Sequence, residues 1–304
     1  MILLLEQILN GLQFGMMLFL LAAGLTLVFG IMGLINLAHG SLYMVGAFAA
    51  AWTENSTGSF SLALLAGLIA AGVTGILVEL VVLRHLYGRD HLDQVLATFG
   101  LIMFFNEAVV MLFGRQPMTA AIPDLLSGSV QVLPGVQYPV YRLAIIAAGV
   151  AAAIGLYLLV NHTRLGMLVR AGATHRDMVR ALGVRIGFLY TAVFGLGALL
   201  AGLAGAMTGP LLSVQEGMGD GILITTFVVI VVGGIGSVRG ALAGAILIGM
   251  VDTLTRAFLP SALAHVMTTE SADAIGGGLS SMAIFIAMAI VLLVRPRGLI
   301  PAHG

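Results

Sequence analysis

The sequence predicts an all-α polytopic membrane protein with about eight membrane segments, interrupted near residues 36–43 and 233–240. Three observations carry that reading. Hydrophobic residues fill 60% of the 304 positions and charged residues only 9%, with a mean hydropathy of +1.12. A water-soluble domain of this length needs far more charge to cover its surface. Apolar runs of about 20 residues, enough for a helix to cross the hydrocarbon core, recur from end to end. No connecting stretch is long enough for a separate folded domain, so residues 1–304 are expected to form one transmembrane domain.

The apolar runs fall near 5–30, 34–53, 61–83, 92–114, 141–160, 187–209, 222–256 and 278–294. The first, opening MILLLEQILNG, carries Glu6 and no basic n-region, so it is expected to stay in the protein rather than be cleaved as a signal peptide. The stretch at 115–140 holds Pro117, Pro123, Pro134 and Pro139 and reads as an irregular cap with room for one short interfacial helix. The seventh run is the odd one. GGIGSVRG at 233–240 divides it into two pieces, each too short for a comfortable crossing.

Orientation follows from the arginines, because short cytoplasmic loops are enriched in Lys and Arg. Residues 161–186 hold Arg164, Arg170, Arg176, Arg180 and Arg185 against Asp177 alone, which marks that loop as cytoplasmic. Counting outward puts Arg84 and Arg89 inside, the 115–140 loop outside and the N-terminus outside. If 222–256 is a paired or re-entrant segment, Arg239 and the tail with Arg295 and Arg297 also lie inside. Only Arg115, Arg142 and Arg256 are then outside. A single crossing would move the last two arginines outward, a worse score. The outer loops carry Glu54, Asp124, Glu216, Asp220, Glu270 and Asp273, a solvated acidic face that could also receive a soluble partner.

Composition also excludes. Cysteine is absent, so there are no disulfides or thiolate metal sites. Every one of the 13 basic residues is Arg; without a P-loop lysine the chain is not expected to hydrolyse ATP itself, and without any lysine it cannot hold a Schiff-base pigment. Zero net charge gives no argument for nucleic acid. The seven histidines are scattered with no HExxH or HxxxH pair, so no metal or other cofactor is expected. GGIGSVRG is no dinucleotide fingerprint, since Arg239 stands where the third glycine belongs and no βαβ unit surrounds it. No nucleophile, base and orienting group assemble into an enzyme site.

Two polar knots stand out in the oil. Asn36, His39, Ser41 and Tyr43 lie between apolar arms at 24–35 and 42–53; Gly233, Gly234, Gly236 and Ser237 interrupt the later run. Polar groups inside a bilayer must face protein, water or a passing solute, so these residues either staple the fold or line a route. The two knots share a local pattern, His39-Gly40-Ser41-Leu42 beside Arg239-Gly240-Ala241-Leu242, and paired interrupted segments point to a solute path. Glu79, Glu107 and Asp252 lie in or near spans and are candidates by position, although Glu79 and Glu107 fall where contact with water explains them equally well. Glycine and alanine at small-xxx-small spacing (Ala198 and Gly202, Ala201 and Gly205, with Gly195 on the same run; Gly240 and Gly244; Gly67, Ala71 and Gly75) read mainly as close helix packing, with a hinge or pore role as the lesser alternative.

In the arginine-rich loop, Thr174 with Asp177 three residues on predicts the capped start of a short helix, and Gly183 its end. Met178, Ala181 and Leu182 then project together as a small apolar face framed by arginines. Such a face suits a protein partner or anionic lipid headgroups equally well.

Taken together, LTLVFGIMGLINLAHGSLYMVGAF, TRLGMLVRAGATHRDMVRALGV, VVGGIGSVRGALAGAILIG and LLVRPRGLI closely resemble, in order and over nearly the whole chain, the LivH-type permeases of bacterial branched-chain amino acid ABC importers. The resemblance implies an inner-membrane subunit that pairs with a second homologous permease, two cytoplasmic ATPases and an extracytoplasmic solute-binding protein. It also implies that the stretch with Asp177, Met178, Ala181, Leu182 and Gly183 is the segment that docks on the ATPase. Urea and short-amide permeases share these motifs. A stand-alone channel or ion-coupled carrier is the reading of another class, and it would need a cluster of intramembrane carboxylates.

Overall fold

The computed structural model describes residues 2–133, 135–174, 176–265 and 267–302, with the backbone alone at Leu133, Ala173, Thr174, Arg176, Asp177 and Thr269. In chain order the elements are α1 (Ile2–Met32), α2 (His39–Thr57), α3 (Phe60–Val81), α4 (His91–Phe113), β1 (Ser129–Leu133), β2 (Val136–Pro139), α5 (Val140–His162), α6 (Arg164–Thr174), α7 (Arg176–Ala181), α8 (Ile186–Thr208), α9 (Met218–Gly233), α10 (Val238–Leu263) and α11 (Thr269–Val294). Seven of these helices are long and apolar enough to cross a membrane: α1, α3, α4, α5, α8, α10 and α11. The predicted polytopic helical protein is what folds.

By contact, the chain divides into two compact units, one of residues 1–19, 124–150 and 225–304, the other of 20–123 and 151–224. In the second unit α2 is the core. It packs against α3, α4 and α8, and it is missing from the seven apolar spans because its sequence is rich in Gly, Ala, Ser and Thr rather than Leu and Ile. A helix surrounded by protein needs small residues more than it needs oil. Gly46 of α2 and Gly202 of α8 meet backbone to backbone, and the ideal Cβ of a residue at Gly46 would lie 2.6 Å from the Gly202 Cα. The small-residue spacing seen in the sequence is thus helix packing. Large apolar side chains sit where the bundle ends: Phe104, Met111 and Leu112 of α4 are exposed, as expected of a lipid-facing helix.

In the first unit α10 packs against α11, and α1 meets α10 through Gly11, Gly15 and Gly249. Asn10 Oδ1 accepts hydrogen bonds from Tyr138 Oη (3.2 Å) and from the Arg142 guanidinium, tying the hairpin and the start of α5 to α1. Burial, with the Arg142 charge opposing it, pushes the Tyr138 phenol up from its ordinary pKa. Arg256 Nε donates to both carboxylate oxygens of Asp252 at 2.9 Å, one helical turn apart on α10.

Four expectations need correction. The 115–140 stretch is not simply irregular: β1 and β2 form an antiparallel hairpin, with Val130 opposite Tyr138, and Met118 bridges Val214. The alternation in SVQVLPGVQYP, with Pro-Gly at its middle, is the ordinary signature of such a hairpin. Residues 164–174 are helical, where only a short helix from Thr174 was expected; α6 folds back so that Gly166 lies against the carbonyls of Leu159 and Val160. The seventh run is divided at 233–240 as expected, but its second piece is not too short: α10 continues to Leu263 and is by itself long and apolar enough to cross. The eighth starts at Thr269, nine residues early, because the polar ADAIGGGLSS stretch stays helical.

Candidate functional site

The first knot lies in the second unit. α1 ends at Met32, and Gly33, at φ +62°, turns the chain while its N–H donates to the Phe29 carbonyl (2.9 Å). Asn36 then starts α2: its Oδ1 accepts from the Ala38 N–H at 3.1 Å, an Asx turn, leaving Nδ2 without a partner. His39 is fully buried. Its ring fits over Gly24 of α1 and lies against the Leu21 backbone, yet neither nitrogen completes a hydrogen bond of good geometry. Ser41 Oγ and Thr26 Oγ1 are likewise buried and unpartnered. Tyr43 differs, because its hydroxyl is hydrogen-bonded to Thr208 on α8. Gly40 meets Gly219, at the start of α9, backbone to backbone.

The second knot lies in the first unit and is fully stapled. Gly234 and Gly236 hold φ of +113° and +82°, conformations that a side chain resists. Ser237 caps α10, its Oγ accepting from the Gly240 N–H at 3.0 Å. Gly233 and Gly240 meet backbone to backbone. The tail closes the turn from outside the knot: the Leu299 and Ile300 N–H groups donate to the carbonyls of Val232 (2.8 Å) and Gly233 (2.9 Å), which α9 leaves free at its end.

In the arginine-rich segment, α7 ends as expected. Gly183 takes φ +84°, its N–H donating to the Arg180 carbonyl and that of Val184 to Val179. Met178 and Leu182 are 63% and 78% exposed and Ala181 is exposed beside them, while Val179 is buried beneath. The capping arrangement expected of Thr174 and Asp177 falls on side chains outside the described ones. Arg180 of α7 also lines a cavity of about 540 Å3 with Arg84, Tyr87, Arg185, Phe188 and Tyr190.

Glu79 is the surprise. It is fully buried rather than wet: Tyr87 Oη donates to Oε1 (2.5 Å), Thr191 Oγ1 donates to Oε2 (2.6 Å), and Arg84 Nη2 stands 3.8 Å away. Burial, and after it the Glu79 carboxylate, push the Tyr87 phenol far up from its ordinary pKa, so it stays a donor. Among the described residues no three His, Cys, Asp or Glu side chains gather to hold a metal ion.

Residues 7–294 match the family described as the permease component of branched-chain amino acid transport systems. The chain belongs to this permease family. Relatives of this permease include the high-affinity branched-chain amino acid transport permease protein BraD of Pseudomonas aeruginosa, 31% identical over 310 residues, 97% of this chain and 95% of that protein. LivH of Escherichia coli K12 is 27% identical with the same coverages. The ribose import permease protein RbsC of E. coli K12 is 26% identical over 77% of this chain and 72% of its own. No solved structure matches. The permease's structure thus sets His39 against Gly24 and Gly40 against Gly219, which the sequence did not flag, and the Gly233–Ser237 turn against the tail. The two knots belong to different units.

Proposed function

We propose that this permease is the membrane subunit of an ATP-driven importer that carries branched-chain or similar hydrophobic amino acids into the cytoplasm. The family match over residues 7–294 is the observation that carries the reading. The subunit works as one permease domain in the inner membrane, N-terminus outside and C-terminus cytoplasmic, beside a second homologous permease. Two cytoplasmic ATPases and an extracytoplasmic binding protein complete the assembly. The exposed Met178, Ala181 and Leu182 face supports α7 as the ATPase-docking helix, with Asp177 and Gly183 at its edges.

The first knot lines the route. Asn36 Nδ2, both His39 nitrogens and Ser41 Oγ have hydrogen-bonding capacity that the resting fold leaves unused, and the charged ends of a zwitterion can take it. Aliphatic neighbours such as Leu42 suit the cargo's side chain. The second knot, with its polar groups spent on its own backbone, is the hinge that moves with α9. ATPase closure pushes α7, and the loaded binding protein biases the outer side; a few kcal/mol between conformations suffices for both to shift the population.

The test is double substitution of Ala181 and Leu182 to Asp, with co-purification of the ATPases and leucine uptake as readouts. Association should fall at least about 30-fold, the loss of one interface hot spot, and uptake with it. Uptake that persists without ATP but with a proton gradient would instead establish an ion-coupled carrier.

A further inference from the structure

We propose that Glu79 is a positioning residue, the joint through which motion of α7 reaches the membrane helices; this rests on the importer reading above. A carboxylate at the end of a membrane helix is usually wet. This one has no exposure, and each oxygen is held by a hydroxyl from a different part of the chain. Tyr87 comes from the loop after α3, and Thr191 from the second turn of α8. Arg84 Nη2 completes the set, donating to Thr191 Oγ1 at 3.4 Å while standing beside Glu79 Oε2.

The position of Thr191 gives the cluster its meaning. α7 ends at Ala181 and α8 begins at Ile186, so a displacement of α7 passes directly to the first turns of α8, beside the contact that α7 makes with α6. There Thr191 fixes α8 to α3 by a short bond to a buried charge. If α8 slid past α3, the buried carboxylate would lose one of its donors, which is costly. The start of α8 and the end of α3 therefore move as one body.

Farther along, the contact is made without polar groups. The ideal Cβ of a residue at Gly72 would lie 2.9 Å from Leu199 Cδ2, Gly75 meets Ala198, and Gly205 meets the Tyr43 carbonyl of α2. A push on α7 thus arrives, through α8, at the helix that carries His39, Ser41 and Tyr43. Without the Glu79 joint, the first turns of α8 can yield and absorb the stroke. Packing of small residues alone resists sliding weakly, because it offers no directional bond.

The same cavity wall that holds Arg84, Tyr87 and Tyr190 also carries Arg180 and Arg185 from the α7 side. Tyr87 and Tyr190 meet edge to face at 5.0 Å. The joint is therefore adjacent to the docking segment rather than remote from it.

The experiment uses the complete transporter in proteoliposomes, with ATP hydrolysis and leucine uptake measured in the same vesicles. Glu79→Gln should co-purify with the ATPases and hydrolyse ATP near the wild-type rate. Its leucine carried per ATP should fall by about tenfold, within the range of a coupling energy between sites. Thr191→Val should fall in the same direction, and Thr191→Ser, which keeps the hydroxyl, should restore coupling. A Glu79→Gln transporter with wild-type leucine per ATP overturns the joint. If Glu79→Gln does not accumulate, equal coupling in Thr191→Val and Thr191→Ser overturns it instead. A wild-type chain that neither binds ATPases nor takes up leucine with ATP overturns the importer reading, and the joint with it.

Discussion

The knot at 36–43 and the knot at 233–240 are alike in sequence and opposite in chemistry. Each puts a glycine in the first turn of a helix, Gly40 in α2 and Gly240 in α10, and each of those glycines meets a glycine of α9, Gly219 and Gly233 respectively. Yet the first leaves Asn36 Nδ2, both His39 nitrogens and Ser41 Oγ unpartnered, and the second places no side chain among the buried unpartnered polar atoms. Polarity in a membrane protein therefore does two different jobs. Where it is satisfied by its own backbone it shapes the chain; where it is left unsatisfied it waits for something else.

The shared part of the comparison is the easiest to break. Gly40→Val and Gly240→Val both drive a side chain into facing backbone. Each should cost on the order of 3 kcal/mol or more through overpacking, seen as a large drop in melting temperature of the detergent-solubilised protein. If one of them melts like wild type, the two knots do not share their glycine contact.

The differing part is sharpened by two serines. Ser41→Ala removes a hydroxyl with no partner, so the melting temperature should hold or rise, while leucine uptake falls by about tenfold, the worth of one hydrogen bond to a charged group. Ser237→Ala removes a helix cap and should lower stability by about 1 kcal/mol, with uptake lost only as far as folded protein is lost. The reverse pattern would exchange the roles assigned to the two segments.

Much of this was legible in the sequence. The spans, the break at GGIGS and the apolar face at Met178, Ala181 and Leu182 follow from local patterns: hydrophobic length, glycine at turns, and i, i+3, i+4 spacing. The hairpin of β1 and β2 is also written in SVQVLPGVQYP, but the four prolines between 115 and 140 point to an irregular cap and outweigh it in a local reading. What no local pattern carries is partnership at long range. Nothing near Glu79 announces Thr191, 112 residues away. The docking of Leu299 and Ile300 on the end of α9 joins two stretches with no complementary sequence, only free carbonyls meeting free N–H groups. Likewise α2 read as an ordinary span, whereas its shortage of Leu and Ile was the sign of a helix enclosed by protein.

Because the chain has no cysteine, one introduced thiol reports on its own surroundings without interference. Ser41→Cys and Ser237→Cys, each placed alone in the assembled transporter, can be reacted with a water-soluble thiol reagent with and without leucine, at rest and with the ATPases trapped by nucleotide. The cysteine at 41 should react at a rate that changes with nucleotide and slows with leucine, while the one at 237 should be indifferent to leucine. Protection by leucine at 237 and not at 41 would contradict the assignment of the first knot as the route.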